Sequence, residues 1–162
     1  MAHIHLQHDA AYYAEKAESL FEEGYNCSQA VLLAFAEECG LSTAVAARLA
    51  SSFGGGMGRL REVCGAVSGM FMVAGICCGY DDPKAQSEKA GHYARIQQLA
   101  ADFKLENGSI ICRELLYLQQ SGASAPTPEA RTAAYYQKRP CKALVGDGAR
   151  IVATALLAES QP

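Results

Sequence analysis

Apolar residues recur along this chain at intervals of three and four, broken by short polar stops, and this spacing predicts helices from end to end. Ala10, Ala14, Ala17, Leu20 and Phe21 share one face of a helix over Asp9–Glu23, which Gly24 ends. Asn26, followed three residues later by Gln29, forms a capping box that opens a second helix, Cys27–Cys39, stopped at Gly40. Ser42 caps a third, with Val45, Leu49 and Phe53 on its inner face. A glycine-rich loop, Gly54–Gly58, leads to a fourth helix over Val63–Cys78, apolar on every side and ended by Gly79. Asp81 or Asp82 with Pro83 opens a fifth, which turns Tyr93, Ile96, Ala100 and Phe103 inward and stops near Asn107–Gly108. Ser109 caps a short sixth helix carrying Leu115, Leu116 and Leu118. A loop over Ser121–Pro128 and a short helix around Glu129–Gln137 follow. Pro140 then opens the last helix, Cys141–Glu159, with Leu144, Val145, Val152 and Leu156 inward. The expected fold is all-α: one helical bundle of six or seven helices over residues 1–162, with residues 1–8 frayed.

Composition agrees. Alanine, the strongest helix former, supplies 29 of the 162 residues, whereas Val, Ile and Thr together supply 17. A net charge of −3 gives no reason to expect nucleic acid as a partner. The longest apolar stretch, Val63–Cys78, is 16 residues with three glycines and a serine, too short to span a membrane comfortably. An all-apolar helix suits a central position or a homodimer face. The opening MAHIHLQHD lacks a basic segment followed by an apolar run, so no export signal and a cytoplasmic location are expected. His3, His5 and His8 fall in this stretch and read as solvated side chains.

Seven cysteines are many for such a chain, and an odd number cannot all pair internally. They sort by position. Cys27, Cys64, Cys112 and Cys141 each fall in the first turn of a different predicted helix, whereas Cys39, Cys77 and Cys78 fall in last turns and read as core filling. A helix start presents unpaired N–H groups and partial positive charge, which favours thiolate. Arg59 and Arg61 precede Cys64, Arg113 follows Cys112, and Arg139 and Lys142 flank Cys141. If the four starts meet, the thiols make a soft-ligand site for zinc or iron–sulfur chemistry, or redox dithiols. Their separations of 37, 48 and 29 residues match no compact metal motif. Gly65 and Gly69, four apart on one helix face, allow close approach of a neighbouring helix or of a cofactor.

Cys64-Gly65-Ala66-Val67-Ser68-Gly69 is a CGAxxG block. Gly24-Tyr25-Asn26-Cys27-Ser28-Gln29-Ala30-Val31 lies upstream and the lone Cys112 and Cys141 downstream. From about Ala10 to Leu157 the chain resembles the C_GCAxxG_C_C family of redox-active proteins. The resemblance places that family's four characteristic cysteines on Cys27, Cys64, Cys112 and Cys141 and implies a redox centre there; Gly65 and Gly69, by their spacing, and Arg61 and Arg113, by their nearness to these cysteines, are the residues expected around its cofactor. A similar domain in split-Soret cytochromes has its cysteines associated with an iron–sulfur centre, so the resemblance implies such a cluster. No C-x-x-C-H is present, and covalent haem is not expected. The expected function is electron transfer or thiol–disulfide exchange with a redox partner protein. Its rivals are a structural zinc on the four thiolates, and a helical binding or regulatory module with inert buried cysteines.

Overall fold

A computed structural model describes residues 6–159 as an all-helical domain. The helices are α1 (Ala10–Glu22), α2 (Cys27–Ala34), α3 (Thr43–Ala50), α4 (Gly65–Cys78), α5 (Gln86–Asn107), the single-turn α6 (Cys112–Leu115), α7 (Ala133–Lys138) and α8 (Cys141–Glu159). No strand occurs among the described residues; the one extended pairing is an isolated antiparallel bridge between Val63 and Ile111. No described helix is long and apolar enough to cross a membrane.

Local chemistry sets the helix starts. The Asp9 carboxylate accepts from the Tyr12 amide at 2.9 Å. Asn26 and Gln29 form the full reciprocal box, each side chain accepting from the other residue's backbone N–H. Ser42 caps α3 and Thr132 caps α7. The core lies where α8 packs along α1 and where α2 packs along α4, with α8 also crossing α2 and α4. Tyr13, Phe21, Phe35, Met70, Phe103 and Val145 are fully buried there. Tyr13 stacks on Phe35 with ring centroids 4.3 Å apart, and its hydroxyl donates to Glu38 at 2.5 Å.

Several expected details differ. α2 ends at Ala34 rather than Cys39, because the Phe35 and Ala36 amides donate to carbonyls three residues back and the chain tightens into turns up to Gly40. α3 buries Ala46 and Ala50, not Val45 and Leu49, which are about half exposed. Small residues on that face let α3 sit close on α2, so packing distance overrides hydrophobicity in choosing the inner side. α5 begins at Gln86, and its buried residues are Leu99 and Phe103; Tyr93 is exposed and contacts Tyr80 instead. Within the expected frayed stretch, Leu6 packs on the core, the Gln7 amide donates to the Tyr13 hydroxyl, and His8 stacks on Tyr12. His3 and His5 lie outside the described residues.

Gly69 explains how α2 and α4 come together. A Cβ placed on it would stand 2.8 Å from Val31 Cβ and 2.9 Å from the Ser28 carbonyl oxygen. One obstacle is backbone, so the neighbour cannot simply rotate away. Gly69→Ala is therefore expected to destabilise the domain by about 1–3 kcal/mol, as overpacking does in a filled core. Urea unfolding checks this; an unchanged midpoint would mean that the helices are free to separate.

Candidate functional site

Two short tethers bring the cysteine-bearing helix starts together. The Asn26 amide group donates to the Ser51 carbonyl at 3.1 Å, tying the start of α2 to the turn that feeds the glycine loop. Beyond that loop, the Cys64 amide donates to the Ile110 carbonyl at 2.8 Å and the Cys112 amide to the Glu62 carbonyl at 2.6 Å, flanking the Val63–Ile111 bridge. The loop can do this because Gly55 and Gly56 take φ of 68° and 69°. A Cβ on Gly56 would stand 2.6 Å from Cys112 Cβ, so only glycine admits that sulfur-bearing residue.

Cys27, Cys64, Cys112 and Cys141 thereby line one cavity of about 200 Å³. Arg59, Arg61, Arg131 and Arg139 also line it, with Glu129 the one carboxylate among the lining residues. Arg61 is almost completely buried, at 3% exposure. Its guanidinium donates to the Cys112 sulfur at 3.6 Å and to the Ser124 hydroxyl at 2.8 Å. Arg131 lies 4.3 Å over the Phe21 ring and donates to the Phe21 and Tyr25 carbonyls, each at 3.2 Å.

The four thiols differ in protonation. Cys141 accepts a hydrogen bond from the Cys27 thiol, and with Arg139, Arg131 and Arg61 nearby this outweighs burial, holding its pKa down to about 7. Cys27, the donor, is pushed well up by that bond and then by burial. Burial pushes Cys64 up to about 12, although the Ala66 and Val67 amides point at its sulfur. Burial also raises Cys112 against the pull of Arg61. Helix starts alone were expected to favour thiolate at all four. Desolvation wins at Cys64 and Cys112, donation to Cys141 together with burial raises Cys27, and only the sulfur with a thiol donor and several guanidiniums escapes upward displacement.

The other sequence candidates separate clearly. Gly65 sits on the cavity wall beside Cys27, whereas Gly69 is covered by α2 and is not among the lining residues. Arg113 does not line the cavity; it pairs with Glu62 at 2.7 Å and donates to the Arg61 carbonyl. Arg131, Tyr135 and Glu129 escaped the sequence reading. They reach the cavity from a stretch whose helical periodicity is weak, and no spacing relative to a cysteine marks them. Outside the cavity, the Cys77 thiol donates to Cys39, and Cys78 lies 3.8 Å from the Glu159 carboxylate. All seven cysteines are free thiols.

Among the described residues, no three His, Cys, Asp or Glu side chains gather closely enough to share one metal ion. A tetrahedral zinc therefore finds no prearranged ligand set. A polynuclear cluster is a different case, because its several irons hold the ligand thiolates further apart, around a space.

A helical domain that gathers four thiols from four helix starts at one cationic cavity defines a class of cysteine-centred proteins. The chain belongs to the C_GCAxxG_C_C family, whose profile, described as "Putative redox-active protein (C_GCAxxG_C_C)", matches residues 25–155. No curated protein and no solved structure gave a match.

Since the thiolate is the nucleophile, alkylation of Cys141 by iodoacetamide should rise with pH to a plateau with its midpoint near 7. Below that midpoint the rate falls about tenfold per pH unit. Cys27→Ala removes the donor and should move the midpoint upward. Peptide-resolved mass spectrometry of the alkylated protein reads both; a midpoint that ignores Cys27 would show that the two sulfurs do not share a proton.

Proposed function

We propose that this chain is a thiol–disulfide redox protein whose working pair is Cys141 and Cys27, with Cys64 and Cys112 completing the centre. The supporting observation is that Cys27 and Cys141 line one cavity walled by Arg59, Arg61, Arg131 and Arg139, cations that favour a thiolate on Cys141. The Cys141 thiolate attacks a sulfur of an incoming disulfide, and that S–S bond breaks to release one half as thiolate. Cys27 then attacks the Cys141 sulfur, and the second half leaves with the Cys27 proton. The protein loses two electrons to form a Cys27–Cys141 disulfide, and the substrate becomes one thiol and one thiolate, which takes its proton from water. The reverse sequence oxidises a dithiol partner, so a redox partner protein that resets the pair belongs to this reading. Free thiols suit a reducing compartment such as the cytoplasm.

A second reading, an iron–sulfur centre on Cys27, Cys64, Cys112 and Cys141, is favoured by one observation: the four thiols stand around an open space of about 200 Å³ instead of meeting at a point. A bound cluster would supply one-electron transfer. The arginines on the wall would offset the negative charge of its thiolate ligands.

Titration with glutathione disulfide, followed by peptide mapping, tests the first reading. The expected product is a Cys27–Cys141 cross-link, replaced in Cys27→Ser by a mixed disulfide trapped on Cys141. Random oxidation across all seven cysteines would overturn it. Purification without air, with iron and sulfide analysis, decides the second: a visible absorption band and bound iron lost in Cys64→Ser would put the cluster first.

A further inference from the structure

The wall of the cavity carries an excess of positive charge that its own residues do not neutralise. Four guanidiniums face one carboxylate in a chain whose net charge is −3. Arg59 and Arg139 share that carboxylate: Glu129 Oε1 pairs with Arg139 and lies 4.0 Å from Arg59. Arg61 and Arg131 form no ion pair with a carboxylate among the described residues; their partners are carbonyls, a hydroxyl and a sulfur. A guanidinium as buried as Arg61 is costly without a negative partner. One thiolate offsets part of the excess, and room remains for an anion. Glu129 shows how such an anion would be held, because its carboxylate already bridges two guanidiniums at the cavity wall.

Resting on the thiol–disulfide reading above, we infer that the substrate is a small anionic disulfide, one whose carboxylates are taken up by Arg59, Arg61, Arg131 and Arg139 while its sulfur meets Cys141. A space of about 200 Å³ admits a compact molecule of this kind. The arginines both raise its local concentration and orient it, and a cationic disulfide is repelled by the same wall.

Exchange with three disulfides of similar size tests this: dithiodipropionate, with two carboxylates; bis(2-hydroxyethyl) disulfide, neutral; and cystamine, cationic. Each rate is divided by that of the same disulfide with 2-mercaptoethanol, which cancels intrinsic reactivity. The normalised rate should fall from anionic to neutral to cationic, by about tenfold or more from first to last at low salt, and the range should collapse at high salt. Arg59→Gln should narrow the range. Glu129→Gln, which removes the internal carboxylate, should widen it. A flat series would overturn the inference while leaving thiol–disulfide exchange intact, and would assign the arginines to the protein's own sulfurs alone. Anion binding is also read without exchange, through protection of Cys141 from iodoacetamide by glutarate. Protection without exchange keeps the anion site and overturns the thiol–disulfide reading. Absence of both overturns the two together.

Discussion

A sulfur anion taken out of water loses several kcal/mol of solvation unless donors or cations meet it. Four buried sulfurs in one small space sharpen the problem, since each added negative charge makes the next more costly. The molecule resolves this by leaving three thiols protonated and concentrating its compensation on Cys141. A neighbouring thiol donates to that sulfur, and Arg139, Arg131 and Arg61 stand around it. The remaining features of the site follow from keeping those cations in place within a wall whose other polar members are the cysteines, Asn26, Glu129 and Tyr135.

Keeping them there is a backbone task. Met57, Arg59 and Arg61 all adopt positive φ, between 64° and 66°, in a run that also includes Gly55, Gly56 and Gly58. Such a conformation costs about 1–2 kcal/mol for a residue with a Cβ. The Glu62 amide donates to the Gly56 carbonyl at 3.0 Å, and the Arg113 amide to the Arg61 carbonyl at 3.2 Å, so the strained segment is held from both sides. The helices supply the sulfurs, the irregular segment between α3 and α4 supplies Arg59 and Arg61, and the stretch between α6 and α8 supplies Arg131 and Arg139.

Much of this was legible in the sequence. The capping box at Asn26–Gln29, the stop at Gly108 and the span Cys141–Glu159 are local features, and local chemistry decides them. The four cysteines were singled out because helix starts are readable, and they do line one cavity. What was not legible depends on long-range packing. Whether Leu49 or Ala50 faces inward is settled by how near α3 sits to α2, which spacing does not encode. The protonation of each sulfur depends on burial and on its neighbours, so four helix-start cysteines gave one lowered thiol and three raised ones. Arg131 reaches the cavity by stacking on Phe21, far away in the chain, and no motif records that contact.

The segment over residues 121–128 has no helix of its own and is fastened by the cavity's arginines. Arg59 Nε donates to the Ala125 carbonyl at 2.5 Å, Arg61 Nε to the Ser124 hydroxyl, and the Ser124 amide to the Arg59 carbonyl at 2.9 Å. The same guanidiniums thus serve as latch and as receptor. A guest that draws either one toward itself weakens the latch, and by thermodynamic reciprocity an unlatched segment holds that guest more tightly. Occupancy of the cavity and order of its outer wall are therefore two faces of one equilibrium.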